Sequence, residues 1–158
     1  MTYTFQSTIV AATIATLATT ATAGGHEATE AETAMKARGA HMQLFSFNLG
    51  TLGAMAQEKT PYDAQAASIA AANLAAIAGV SQAGYWLEGT DTSVEGSRAK
   101  PEIWTDMAGF EQDNADLLAA SVALSEVAGN GLDALKAGFG PVGQACGACH
   151  EDYRAPRN

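Results

Sequence analysis

Two long segments of this 158-residue chain repeat their apolar residues at alternating steps of three and four. This spacing places side chains on one stripe of an α-helix, the surface that helices bury when they pack into a left-handed bundle. The first stripe consists of Met35, Arg38, Met42, Phe45, Leu49, Leu52 and Ala56. The second consists of Leu132, Leu135, Phe139, Val142, Cys146, Cys149 and Tyr153. Because β-branched residues are sparse after residue 24, the chain is predicted to be all-α.

Glycine and proline divide the chain into four predicted helices. We expect them over residues 28–57, from 62 or 63 to 79, from 101 to 128 and from 132 to about 153, with a kink at Gly140-Pro141. The third stripe is weaker and contains Ile103, Met107, Phe110, Leu117 and Leu124. The second helix offers only Ile69, Leu74 and Ile77. Four amphipathic helices with mostly short links predict an antiparallel up-and-down four-helix bundle.

The first 23 residues have the composition of an export signal. They contain no charged side chain, include a short apolar run and end in Ala21-Thr22-Ala23, a small-residue cleavage pattern. The run is too short for a transmembrane helix. We therefore expect a signal peptide over residues 1–23 and one exported domain over residues 24–158.

The formal net charge of −9 limits the classes of partner. Such a surface repels phosphate backbones and anionic lipid headgroups, so neither nucleic acid nor a membrane surface is an expected partner. A basic protein is the partner class that this charge does not repel.

The only two cysteines lie in the segment CGACHEDYR, residues 146–154, near the end of the last predicted helix. A thioredoxin-type cysteine pair begins a helix, where the helix dipole lowers a thiol pKa, and this pair lies at the opposite end. A zinc site needs four ligands, and the other histidines are only His26 and His41. A disulfide between cysteines three residues apart in a helix is strained.

Covalent attachment of haem explains the motif better. Cys146 and Cys149 lie one helical turn apart and can form thioethers, and His150 follows them as an iron ligand. The predicted export agrees, because c-type haem is attached outside the cytoplasm. A buried porphyrin would also add apolar bulk to an alanine-rich bundle.

The chain resembles the class II c-type cytochromes and, among them, the cytochrome c′ family. The resemblance covers nearly all of residues 24–158. It rests on CGACHEDYR at the carboxyl end, on ARGAHMQLFSFNLGTLGAMA in the first helix, on PYDA at the second and on AKPEIWTDMAGFEQ at the third. It implies a helical bundle with one covalent haem c near its C-terminal end and a periplasmic location.

The resemblance also implies roles for six positions. Cys146 and Cys149 would bind the haem, His150 would be the proximal iron ligand, Arg154 would lie beside that ligand, Arg38 would contact a haem propionate and Met42 would face the other side of the iron. The residues themselves support one of these roles. A charge on an apolar stripe, such as Arg38, is costly unless it is paired, and a propionate is a suitable partner.

Met42 leaves two functions open. If it only fills space, the iron is five-coordinate and can bind diatomic gases such as NO and CO, alone or together with electron transfer. If its sulfur binds iron, the protein is a six-coordinate electron carrier of the c-556 type. His41 lies about 100° around the helix from Met42 and is expected at the flank or surface. Since the first helix then lacks a distal acid–base pair, we predict no enzyme.

Apolar residues off the first stripe predict an interface. Leu44, Phe47 and Met55 form a second patch on the first helix, and exposed patches of this kind mark partner surfaces. Relatives pair through their first two helices, so the resemblance implies a homodimer. It names no redox partner. Tyr85 and Trp86, in the connection over residues 79–100, are expected to cover apolar surface.

Overall fold

A computed structural model describes residues 28–157 of the chain as a helical bundle. Its helices are α1 Glu30–Ala56, α2 Ala64–Ala78, α3 Glu102–Thr105, α4 Met107–Val127 and α5 Leu132–Tyr153. The predicted signal peptide over residues 1–23 lies outside the described residues. None of the helices within residues 28–157 has the length and apolar character needed to cross a membrane.

Polar side chains fix where three of the helices begin. Thr29 and Glu32 form a capping box at the start of α1, and Asp63 caps α2 by accepting a hydrogen bond from the Ala66 N–H. The third predicted helix is divided in two at Asp106. The side chain of Asp106 accepts a hydrogen bond from the Gly109 N–H and thereby begins α4 as a new helix.

The four long helices pack as an up-and-down bundle, as predicted. The strongest packing is between α1 and α2, α2 and α4, α4 and α5, and α1 and α5. At Gly140-Pro141, where a kink is predicted, α5 remains helical, with Pro141 inside the helix. It therefore runs as one element from one end of the bundle to the other.

One end of the bundle has a closed core. It contains the C-terminal half of α1, the start of α2, the end of α4 and the start of α5, and we call it the closed end. Its large side chains have no exposed surface: Leu52, Leu74, Leu124, Leu135 and Val142. Alanines fill the remaining contacts, and their small side chains let the helices approach closely. The Tyr62 hydroxyl joins two chain segments here, donating to the Ala128 carbonyl and accepting from the Gly131 N–H, both at 2.9 Å.

Two apolar residues differ from the predicted pattern. Met55, expected in an exposed patch, is buried, because the link between α1 and α2 folds over it and the Asp63 N–H donates to its sulfur at 3.3 Å. Ile69, expected on the stripe of α2, is 55% exposed, because alanines make the contacts of that helix. Leu44 and Phe47 are exposed, as predicted.

Candidate functional site

The other end of the bundle encloses a cavity of about 840 Å³. Its walls are the N-terminal half of α1, the start of α4, the end of α5 and the connection between α2 and α3, and we call this the open end. All six residues predicted for the site line the cavity: Arg38, Met42, Cys146, Cys149, His150 and Arg154. The volume falls within the usual range for ligand and cofactor sites.

The two cysteines are half-buried free thiols on the cavity wall. Burial, with a smaller contribution from the Asp113 carboxylate, raises the pKa of Cys149 to about 11. Burial also raises the pKa of Cys146. A reactive dithiol needs the opposite shift, a lowered thiol pKa. This environment therefore does not favour a redox-active pair.

His150 presents an imidazole that is suited to binding a metal. Its side chain is half-buried, and its pKa is lowered by burial first and then by the positive charges of Arg154 and Arg98. Both effects favour the neutral imidazole, which is the form that binds a metal ion. Within residues 28–157, no three His, Cys, Asp or Glu side chains come together as a metal-binding group, so the residues do not form a zinc site.

Arg38 is a buried cation without an acidic partner in the described part of the chain. It is 7% exposed, and its guanidinium donates to Oγ1 and to the carbonyl oxygen of Thr90 at 2.9 and 3.0 Å. The Trp86 ring lies 4.8 Å away. The single ion pair among residues 28–157 joins Lys136 and Glu58, far from this site. Because a buried charge is costly without an opposite charge, the cavity is suited to an anionic group beside Arg38.

Met42 lies on the cavity wall and is not part of a packed seam. Its side chain is 37% exposed, and Met35, about two turns earlier, lines the same cavity. The stripe of α1 is thus continuous in sequence but faces two environments, packed helices near Leu52 and the cavity near Met42.

The prediction for His41 is wrong in its burial. The side chain is only 6% exposed and contacts Phe45 and Tyr85 edge-on, with ring centroids 5.1 and 5.8 Å away. Burial lowers its pKa, and its Nε2 has no hydrogen-bond partner among the described residues. The reason is that Tyr85, from the connection, covers this flank of α1. His41 is absent from the cavity lining, however, so it is not placed as a ligand.

Trp86, which is expected to cover apolar surface, covers Arg38 and packs edge-on against Phe110 at 4.8 Å, so it is a wall of the site. Several other cavity residues were not predicted. Asp113 is the one acidic residue of the described lining, and its buried Oδ2 has no hydrogen-bond partner there. Arg98 and Arg157 also line the cavity. Helical periodicity gives no information about loop and tail residues, but the occurrence of three of the four arginines at the end of the connection and in the C-terminal tail was an available signal.

A sequence profile of the cytochrome c′ family matches residues 33–154 of the chain. The chain belongs to the cytochrome c′ family. It is 37% identical over 129 residues to cytochrome c-554 of Cereibacter sphaeroides, covering 81% of this chain and 97% of that protein. The solved structure of cytochrome c′ from Rhodobacter sphaeroides superposes with a TM-score of 0.79 and 35% identity, covering 82% of this chain and all of that one.

Membership of the cytochrome c′ family establishes the cofactor. Proteins of this family bind haem c covalently, and the protein is a haem protein. The residues of the cavity fit that group. Two adjacent thiols, a neutral imidazole, an unpaired buried guanidinium and an apolar lining are the features that a covalently held, anionic porphyrin requires.

Proposed function

We propose that Cys146 and Cys149 hold the haem through thioether bonds and that His150 is its proximal iron ligand. The observation that supports this most is the position of all three on one wall of the cavity, with α1 on the other. Arg38 binds a propionate from inside the cavity, and Arg154 lies beside the proximal ligand. When bound, the haem supplies an iron that can take up a diatomic gas and exchange an electron.

We further propose that the iron is five-coordinate and that the protein binds gases such as nitric oxide and carbon monoxide and exchanges electrons. Among residues 28–157, α1 contributes no imidazole to the cavity, and Met42 is partly exposed there. The structure of a variant of cytochrome c′ from Alcaligenes xylosoxidans has been solved as a nitric oxide complex. The sequence of that variant is 32% identical to this chain. The proposed role is binding and electron transfer without a catalysed reaction.

Optical spectra of the ferric, the reduced and the CO-treated reduced protein test the coordination state. The proposal expects a high-spin ferric spectrum and ready CO binding, both retained in Met42→Leu. A low-spin spectrum with a sulfur-to-iron band, unchanged by CO, would instead identify a six-coordinate electron carrier of the c-556 type. Met42→Leu would then become high-spin, while Met35→Leu, which removes the other thioether of the cavity lining, would not.

We propose that the protein is a homodimer joined through α1 and α2. Leu44 and Phe47 on α1 and Ile69 on α2 are 54%, 74% and 55% exposed, which is unusual for large apolar side chains. A related cytochrome c′ structure, with 32% identity and a TM-score of 0.73, is described as showing an unusual ligand-controlled dimer dissociation.

Sedimentation at high micromolar concentration tests the dimer. We expect a dimer for the unmodified protein and a monomer for Phe47→Lys, because a lysine ammonium is costly to bury in an apolar interface. Val122→Lys, at an exposed apolar position of α4, is the matched control and keeps the dimer. A monomeric unmodified protein would reject the proposal.

We propose that the protein is exported to the periplasm and that its mature domain spans residues 24–158. The support is the uncharged, apolar composition of residues 1–23 and the cleavage pattern at Ala21-Thr22-Ala23. The mass of the protein isolated from the native host measures this directly. Full-length protein recovered from the cytoplasm would contradict the proposal.

A further inference from the structure

The basic residues of the chain are divided by type between the cavity and the remaining surface. All four arginines line the cavity, whereas none of the four lysines does. With Asp113 as the one acidic residue of the described lining, the lining carries a formal charge of +3. The rest of the chain has the four lysines against sixteen acidic residues, a formal charge of −12. The positive charge is thus concentrated at one place on an acidic protein.

Three of these arginines surround the cavity mouth, and we call them the arginine rim: Arg98, Arg154 and Arg157. Arg154 and Arg157 are exposed and Arg98 is half-buried, in contrast to Arg38, which lies inside the cavity. Beside the rim a second groove of about 570 Å³ is lined by Arg98 and Arg157 with neighbouring loop residues. The rim is therefore part of a wider recessed surface.

Backbone pairing holds the rim in place. The residues after α5 pair with the end of the connection in an isolated antiparallel bridge between Ala99 and Arg154. The Ala155 N–H donates to the Arg98 carbonyl at 2.8 Å, and the Arg98 guanidinium donates in return to the Ala155 carbonyl at 2.9 and 2.6 Å. The tail that carries Arg154 and Arg157 is thus fixed against the wall that carries Arg98.

No described carboxylate forms an ion pair with an arginine of the rim. The single ion pair among residues 28–157 lies at the closed end. Burial and the positive charges of Arg154 and Arg157 lower the pKa of Arg98, and Arg154 and Arg98 act in the same way on His150. Even with two haem propionates added, the cavity lining remains positive. Like charges that are held together without a counterion form a surface that attracts an anionic partner.

We propose that the arginine rim is the docking surface for an acidic electron-transfer protein. The inference rests on the electron-transfer part of the proposed function, and it names an acidic partner, whereas the net charge of the chain leaves only a basic partner unrepelled. Screening limits electrostatic interactions to about 8–10 Å at physiological salt, so an approaching protein responds mainly to the local charge. The rim attracts an acidic face while the remaining surface repels it, which directs the partner to the cavity mouth.

Oxidation of the reduced holoprotein by two small reagents tests the local charge. In each reaction one electron passes from the ferrous haem either to ferricyanide, an anion, or to tris(phenanthroline)cobalt(III), a cation. We compare Arg157→Glu, which leaves Arg154 beside the proposed proximal ligand unchanged, with Lys59→Glu, which makes the same change of net charge at the closed end. At low salt, the rim variant is expected to react with ferricyanide on the order of tenfold more slowly and with the cobalt complex faster. The lysine variant stays within about twofold of the unmodified protein.

Voltammetry on gold coated with a carboxylate-terminated monolayer tests docking itself. The unmodified protein and the lysine variant are expected to adsorb and exchange electrons, and the rim variant is expected to lose most of its surface coverage. Failure of the unmodified protein to adsorb, together with a normal ferricyanide result, would show a site for small anions only and overturn the proposal.

The two possible failures are distinguishable. Equal changes in the oxidation rates of the rim and lysine variants would overturn the rim proposal and leave the proposal of electron transfer intact. An unmodified holoprotein that neither reagent oxidises would overturn the electron-transfer part of the proposed function, and the rim proposal with it. Unchanged ferric spectra of both variants show that the haem site is preserved.

Discussion

The closed and open ends of the bundle are built from the same stripes of the same helices but have opposite packing. At the closed end, Leu52 of α1 and Leu135 of α5 have no exposed surface. At the open end, the continuations of these stripes, Met42 and Cys149, line a cavity. The heptad spacing does not change between the two ends. Periodicity therefore determines which side of a helix faces inward, whereas the opposing residues determine whether that side is packed or faces a cavity.

The largest effect is expected from Cys146→Ala/Cys149→Ala at the open end. If the proposed thioether bonds hold the haem, their loss releases it, and the apolar wall of an 840 Å³ cavity becomes exposed to water. We expect loss of the haem absorbance and a fall in melting temperature on the order of 10 °C or more. Mass spectrometry after co-expression with a haem-maturation system and calorimetry measure the two results. A haem-free variant with the same melting temperature as the unmodified protein would show that the open end is stable without haem.

A matched pair of leucines one turn apart on α1 sharpens the comparison. Leu52→Ala leaves a void in the closed end and is expected to cost about 2–5 kcal/mol of unfolding free energy without altering the haem spectrum. Leu49→Ala, at a half-buried position on the cavity wall, is expected to cost less and to change the spectrum or CO binding. Denaturant unfolding and optical spectra distinguish them. A larger stability loss for Leu49→Ala would contradict the division into two ends.

Arg38→Met tests the polar link between α1 and the connection. The substitution removes the hydrogen bonds to Thr90 while keeping side-chain length, and we expect a loss of about 1–3 kcal/mol together with a changed haem spectrum. Lys36→Met, at an exposed position half a turn away, is the control and is expected to shift stability by no more than about 0.5 kcal/mol. Equal effects of the two substitutions in unfolding experiments would refute a special role for Arg38.

The smallest expected effect is a pH dependence of the free energy of unfolding that arises from Asp113. Burial, followed by repulsion from Asp152, Asp116 and Asp106, raises the pKa of Asp113 in the folded protein. The folded state therefore keeps this proton to higher pH than the unfolded state, and its ionisation destabilises the fold as pH rises above about 4, the unfolded value. Asp113→Asn is expected to be more stable than the unmodified protein at pH 7, with the difference vanishing at acid pH.

Unfolding curves measured from pH 3.5 to pH 7 follow this difference. Asp116→Asn, on the exposed side of the same helix, is the matched control and is expected to show little of it. A stability gain for Asp113→Asn that is the same at every pH would indicate better packing of the amide and contradict the electrostatic explanation.

The helices and the attachment motif were predictable because each depends on local chemistry. The spacing of Leu132, Leu135 and Val142 predicts the inward face of α5, and the motif CGACH predicts the haem site that we propose at the cavity. The break at Asp106 was not predicted, because the sequence does not distinguish a capping aspartate from any other polar residue of an amphipathic segment. The hydrogen bond from the Gly109 N–H identifies it in the structure. The burial of His41 and the wall formed by Trp86 depend on the connection over residues 79–101. Tertiary contacts, such as that between Arg38 and Thr90, set the path of this connection. No periodic pattern in the sequence predicts these contacts.

The continuity of α5 joins the two ends of the bundle in one further way. Val142 is buried in the closed end, and Cys146 begins the cavity wall four residues later. Each helical residue turns the chain by about 100° and advances it by 1.5 Å. Deleting one of residues 143–145 would therefore rotate both thiols and the imidazole away from the cavity while leaving their sequence intact. The length of the spacer Gly143-Gln144-Ala145 therefore sets the angle at which both thiols and the imidazole face the cavity.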